Sequence, residues 1–353
     1  MGDLSKLMGE ELTSRELTVL RYLVHDFIET ATPIGSRYIS KRHDDVLGLS
    51  SASIRNIMSD LEDRGYLDHP HTSAGRIPTD LGYRLYIDTL VELESIPAIE
   101  QRAIRENMQA AGDVDEVLKE TSKLLAKITR QLSIVTPPHL DTGTLEKLEL
   151  VQIVPSRVMV IISIKSGLIR TIMMEVATEI PREKLDDLAR LLNERLSGLT
   201  MHEIRETVGD RMKDAQHEET GLIRLFIDSV DKLVPPTRTE KLHIGGADKI
   251  VEQPEFVNPR DFRGVIELIN DEEIIIHVLE RHDSMPREIR VTIGNENEDE
   301  KLKAYSVITS TYTVGEVSGS IGLIGPKRMP YQRVIPLVDY VAKAISELFL
   351  ERR

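Results

Sequence analysis

Between Ser50 and Thr79 the sequence brings together Ser51, Ser53, Arg55 and Asn56, and then sets Arg76 beside Gly75 in the tract HTSAGRIP. Arginine and asparagine carry the side chains suited to bidentate contact with guanine and adenine edges, and short hydroxyls suit phosphate oxygens. A small-residue tip made of His71, Thr72 and Ser73 lets the backbone and Arg76 approach a phosphate chain or a minor groove without obstruction. The chemistry this pattern points to is non-covalent reading of double-stranded DNA. The competing reading is an ordinary helix and hairpin with solvated polar side chains.

Other reactive residue types do not assemble into a site. His69 and His71 stand at i, i+2 and would share one face of a strand, yet no third metal ligand accompanies them, so they read as loop histidines near phosphate. His202, His217, His243, His277 and His282 lack HExxH spacing, no serine lies in a GxSxG elbow, and there is no cysteine. Gly319, Gly322 and Gly325 do not form a dinucleotide or phosphate loop, and Lys327 and Arg328 beyond them read as a loop or domain-interface pair. The stretch NENEDEK, 295–301, lacks the spaced ligands of a calcium loop and reads as a solvated turn. No catalytic residue, metal site or cofactor is expected, and the chain does not read as an enzyme.

The elements that must position the polar set are legible around it. Ile54, Ile57, Met58 and Leu61 recur at helical spacing, which predicts a helix from about Ser51 to Arg64, capped by Ser50 or Ser51 and stopped by Gly65. Tyr66 and Leu67 read as a short strand, Arg76 and Ile77 as its return, closed by Pro78 and Thr79. Upstream, TSRE is a capping box for a helix over 14–30, and Ser36 caps a short helix to about Arg42. Helix, turn, short helix, loop, recognition helix and wing together read as a winged helix-turn-helix.

The whole chain carries a formal net charge of −14, which excludes indiscriminate attraction to nucleic acid. Between Ser36 and Arg84, however, the basic residues 37, 41, 42, 55, 64, 76 and 84 balance the acidic residues 44, 45, 60, 62, 63, 68 and 80. Any DNA surface is therefore a local patch with strongly salt-dependent binding. The length of 353 residues allows two or three domains. No segment reads as a membrane span or signal peptide, and with no cysteine the chain is expected in the cytoplasm.

The segments PIGSRYISK, SSASIRNIMSDLEDRGYL and PHTSAGRIPTDLGYRLYID resemble the N-terminal signature of the heat-inducible transcription repressor HrcA family. The resemblance continues through QPEF (253–256), IGNEN (293–297) and GSIGLIGPKRMPYQRVIPLV (319–338), so it covers essentially the whole chain. It implies a repressor of chaperone operons that binds an inverted-repeat operator as a homodimer and whose active form is maintained by the GroEL chaperonin. It further implies a GAF-like domain interrupted by an inserted dimerisation domain. The acidic pair Asp44 and Asp45 in HDDVLG departs from what a phosphate-contacting loop would carry.

Beyond the winged helix, residues 98–132 read as a long amphipathic helix or helix pair broken near Ala111 and Gly112, serving as a linker, a domain-packing helix or a dimer contact, with packing the preferred reading over a dimer seam. Strands are expected over 151–154, 158–164 and 168–176, the last two joined at Lys165, Ser166 and Gly167, then helices over 181–197 and 219–234. Further strands are expected over 241–244, 274–279, 289–293, 305–312 and 318–324, and a final helix over 331–350. The fold class is multi-domain α+β. Its expected divisions are 1–96 for the winged-helix domain, 97–176 and 261–353 for the GAF-like domain, and 177–260 for the inserted dimerisation domain. A small-molecule-gated regulator using a GAF-like pocket is the alternative class.

Overall fold

Thr13 opens the first helix. Its hydroxyl accepts from the Glu16 amide at 3.3 Å while the Glu16 carboxylate accepts from the Thr13 amide at 2.6 Å, which satisfies two otherwise free donors. The computed structural model describes residues 12–70, 75–176, 179–215, 221–233, 242–256, 259–280 and 289–351. Helix α1 (Ser14–Thr30) buries Val19, Leu20, Leu23 and Val24 completely. Helix α2 (Ser36–Arg42) follows, and then α3 (Asp44–Leu47), a single turn where the sequence suggested a loop; Asp44 and Asp45 occupy its first turn, where their charge suits the helix dipole.

Helix α4 (Ser51–Asp63) is capped by Ser50, whose hydroxyl accepts from the Ser53 amide at 3.1 Å, and it buries Ile54, Met58 and Leu61. Gly65, at φ +78°, turns the chain out of it. Strands β1 (Leu67–Asp68) and β2 (Ile77–Pro78) pair antiparallel, Leu67 opposite Pro78. Helix α5 (Asp80–Leu85) begins at the Thr79 cap and runs into one π turn, Tyr86–Leu90. Then come α6 (Ala98–Ala110) and α7 (Val114–Thr129), split at Ala111 and Gly112 as expected. The helical reading through Leu132 is corrected: Arg130 adopts φ +57°, ending α7, and Leu132 opens strand β3 (Leu132–Val135).

Strands β4 (Leu145–Val154), β5 (Arg157–Ile164) and β6 (Ile169–Glu175) form a separate antiparallel sheet, the small sheet, in the order β4-β5-β6. Helices α8 (Arg182–Leu196), α9 (Met201–Arg211) and α10 (Leu222–Leu233) cover one of its faces, and all six elements share a single core from Leu140 to Val230. Helix α9 escaped the sequence reading although Thr200 and Glu203 form a capping box. The chain then returns through β7 (His243–Gly245), α11 (Ala247–Ile250), α12 (Pro259–Asn270), α13 (Glu272–Glu280), β8 (Arg290–Ile293), β9 (Tyr305–Val314), β10 (Val317–Pro326) and α14 (Tyr331–Glu351).

The large sheet has the order β7-β3-β10-β9-β8, every neighbour antiparallel. Alternate residues serve opposite cores: Ile308 packs with α14 and α7 on one face, whereas Val307 packs with α12 and α13 on the other. The expected strand over 274–279 is helix α13. Its run IIIHVL is apolar almost throughout and carries no clear period, but Ile275, Ile276 and Leu279 are buried at helical spacing. Helix α12 was likewise unanticipated.

Packing also displaces the expected insertion limits. The expected cut at 177 falls between β6 and α8, which share a core, whereas β7 and α11, inside the expected insertion of 177–260, belong with the large sheet. Among the described residues, the core beneath the small sheet runs from Leu140 to Val230. The N-terminal unit, by contrast, is not isolated. Its apolar core, from Val19 to Tyr86, is continuous with that of α6, α7 and α14.

Candidate nucleic-acid interface

The buried stripe of α4 fixes which side chains can leave the surface. Ile54, Met58 and Leu61 face α1 and α2, so Ser53, Arg55 and Asn56 project outward from the first half of the helix. Arg55 and Asn56 are exposed and, among the described residues, make no side-chain hydrogen bond or ion pair. The second half of the helix is acidic, with Asp60, Glu62 and Asp63. A phosphate-rich partner is thus admitted at the N-terminal half, which also carries the positive end of the helix dipole.

The serines have local duties. Ser51 Oγ lies 3.2 Å from Ser36 Oγ and ties the start of α4 to the start of α2, while Ser53 Oγ lies 3.0 Å from Ser50 Oγ beside the cap. On α2, which packs against α4, Arg37 and Lys41 are exposed cations that the spacing of the sequence did not single out.

Arg76 is not a free cation. Its Nε donates to Glu62 Oε2 at 2.6 Å, Nη1 meets His69 Nδ1, and its backbone pairs with Ile34 in both directions at 2.9 Å. This third strand-like contact binds the β1–β2 ribbon to the turn before α2. Gly75 is required for the approach, because a Cβ there would sit 2.6 Å from the Pro33 carbonyl carbon. His71, Thr72 and Ser73 lie outside the described residues.

Asp26 is the functional neighbour that spacing arguments missed. It sits on the buried stripe of α1, wholly inaccessible, with His43 Nε2 at 2.9 Å and Arg42 Nε at 3.3 Å, while the His43 ring stacks on Tyr22 with centroids 4.0 Å apart. These contacts bolt α2 to α1 and so set the platform on which α4 rests. A charged residue three positions beyond Leu23 on an otherwise apolar stripe was the available signal.

With this geometry in place, comparison with known proteins decides the family. The profile of the HrcA protein C terminal domain matches residues 115–335. The heat-inducible transcription repressor HrcA of Chlorobium phaeobacteroides (strain BS1) is 39% identical over 351 residues, covering 96% of this chain and 99% of that one. The chain belongs to the HrcA family. Its counterpart from Prosthecochloris aestuarii (strain DSM 271 / SK 413) is also 39% identical, covering 96% of this chain and 98% of the relative. Among solved structures, a hypothetical protein crystallised at 2.2 Å resolution superposes with a TM-score of 0.62 at 24% identity, over 97% of this HrcA-family chain and 100% of that one, which supports a shared fold. Among the described residues, no helix is long and apolar enough to cross a membrane.

Proposed function

We propose that this chain represses heat-shock chaperone genes by binding, as a homodimer, an inverted-repeat operator in double-stranded DNA. In this reading 1–96 is a winged helix-turn-helix, α4 is the recognition helix, and β1–β2 is the wing. Arg55 and Asn56 read base edges; Ser51 and Ser53 serve the helix end and phosphate; His71, Thr72, Ser73 and Arg76 form the wing surface. The observation that carries the proposal is the pair Arg55 and Asn56, exposed and unpartnered on the N-terminal half of a helix whose opposite face is locked into a core.

The dimer is assigned to the unit of the small sheet. Its uncovered face presents Val151, Ile169 and Met173 at 39%, 68% and 48% exposure, an apolar surface that a second copy would bury. The large sheet with helices on both faces supports the GAF-like reading of the remaining domain. A cavity beside His277, Arg290 and Thr309 measures about 40 Å³, far below the hundreds of Å³ typical of ligand sites. That cavity alone offers the small-molecule alternative no room, whereas an open one of about 580 Å³ lies beside Asp80, Tyr83 and Lys327, where α5 meets the large sheet.

Dependence on the GroEL chaperonin belongs to the same reading, and the packing is compatible with it. The core of the DNA-reading unit is continuous with α14, at the far end of the chain, so apolar surface stays open until the last residues are in place. Unfolded clients produced by heat then compete for the chaperonin and relieve repression.

The test is binding to an inverted-repeat duplex against a scrambled duplex at fixed salt, with and without chaperonin. Specific binding raised by chaperonin is the expected result. Specific binding indifferent to chaperonin removes the feedback element, and no preference by folded protein removes the operator reading.

A further inference from the structure

Contacts between parts of the chain far apart in sequence converge where α5 meets the large sheet. Asp80 and Arg84 stand one turn apart on α5 and both face the turn 294–297. Asp80 Oδ2 accepts from the Asn295 amide and from Asn295 Nδ2, each at 2.9 Å, and Oδ1 accepts from Lys327 Nζ at 2.6 Å. Arg84 forks onto Glu296, with Nε to Oε1 at 2.8 Å and Nη2 to Oε2, and Nη2 also donates to the Val291 carbonyl at 2.6 Å. The Glu296 hydrogen bonds raise the Arg84 pKa further above its already high value, so the guanidinium stays charged.

The fit is close. Gly294 holds φ +53°, and a Cβ there would lie 2.2 Å from Asp80 Oδ2, so the turn can reach the carboxylate only with glycine at that position. Glu296 is itself held by the Ile293 amide at 2.9 Å. The contacts explain two tracts that the DNA-reading account leaves idle, IGNEN and the Lys327 of GPKRMP.

On its other side α5 is fastened to the turn that leaves α4. The Thr79 hydroxyl donates to the Gly65 carbonyl at 2.7 Å, the Thr79 amide donates to the Tyr66 carbonyl at 3.1 Å, and a Cβ at Gly82 would lie 2.2 Å from that same carbonyl oxygen. A displacement of α5 on the large sheet is therefore passed to the turn through which the chain leaves α4.

We propose that Asp80, Arg84, Asn295, Glu296 and Lys327 are positioning residues that clamp the DNA-reading unit onto the large sheet and thereby set the half-site spacing at which two copies of α4 bind an operator. This inference rests on the reading of α4 as the recognition helix. The clamp acts through rigid orientation. One recognition helix needs only its own surface to bind a half-site, whereas two helices in a dimer must be held at a fixed separation to engage both at once.

The experiment uses the full-length chain as Arg84→Glu, Glu296→Arg and the double exchange, with Asp80→Asn as a milder second break. The probes are an inverted repeat selected from a random duplex pool with the unsubstituted protein, the same repeat with its spacer lengthened or shortened one base pair at a time, and a single half-site. Hydrogen exchange of α5 and of residues 291–297 is followed in parallel. Arg84→Glu and Asp80→Asn are expected to keep half-site affinity within about twofold, to lose about tenfold or more on the selected repeat, and to flatten the spacer dependence. The double exchange is expected to restore the spacer profile and the exchange protection.

An unchanged spacer profile in folded Arg84→Glu protein, despite faster exchange in α5, overturns the positioning role. Equal loss on half-site and repeat overturns it too, since α5 would then merely maintain the reader's fold. Failure of the unsubstituted protein to enrich any duplex with the chaperonin present defeats the DNA-reading account and this role with it, and is recognised before any variant is made.

Discussion

The wholly buried carboxylate of Asp26 on α1 meets His43 Nε2, at the end of α2, at 2.9 Å. Arg42 Nε adds a second contact at 3.3 Å from a partly solvated position. Asp26→Ala leaves two polar partners facing an apolar void and releases α2 from α1. The expected cost is about 2 to 4 kcal/mol, below the upper end for a broken buried pair because Arg42 can turn to water. Denaturant unfolding of the full chain measures it. A loss under about 0.5 kcal/mol would mean that the apolar contacts of Ile39 alone seat α2.

Arg55→Ala tests the reading of base edges. Arg55 is exposed and has no partner among the described residues, so its removal should leave thermal stability within about 0.5 kcal/mol. Binding to the operator should fall by about 1 to 3 kcal/mol, with relaxed preference at one base position and little change on random duplex. Equal weakening on both duplexes would make Arg55 a phosphate anchor. Arg37→Ala provides the contrast: uniform weakening across sequences and a salt slope lower by about one unit.

The N-terminal helices were legible because periodicity, caps and stops agree there: α1 and α2 occupy the expected 14–30 and 36–42, and α4 the expected span less its last residue. Legibility failed where one of these signals was missing. The run IIIHVL in α13 has no polar face, so its period could not separate helix from strand. The insertion limits depend on which core β6 joins, and that is decided by contact with α10, remote in sequence. At the candidate site, the type and exposure of Arg55 and Asn56 followed from helical spacing alone. The capture of Arg76 by Glu62 did not, because it needs the ribbon to fold back onto α4. The acidic stretch at 295–301 likewise looked like a solvated turn until Asp80 and Arg84 were brought to it.

Arg76 joins the returning strand to α4, and its pair with Glu62 is 20% and 30% exposed at the two side chains. Arg76→Ala should therefore destabilise the N-terminal unit by about 1 kcal/mol, more than a fully solvated pair would yield. A double-mutant cycle with Glu62→Gln should recover most of that value as coupling energy. Operator binding should weaken together with random-duplex binding, leaving their ratio unchanged. A changed ratio would place Arg76 against base edges and displace the structural account of it.

Glu16 supplies a pH signature. The Thr13 hydroxyl, then the Thr13 amide, and the Arg64 guanidinium at 3.2 Å hold its carboxyl below the usual glutamate range in the folded chain. A folded value below the unfolded one means that the ionised form stabilises the fold. That contribution is complete above the ordinary glutamate value of about 4.3 and is lost as pH falls through the depressed folded value. Glu16→Gln keeps a capping side chain but removes the charge, so it isolates this contribution. The unsubstituted chain should exceed the variant in stability by under about 1 kcal/mol at pH 6, and the gap should close on the acid side of pH 4. A gap that is constant across that range would show that the capping geometry, which glutamine reproduces less well, accounts for the difference without the charge.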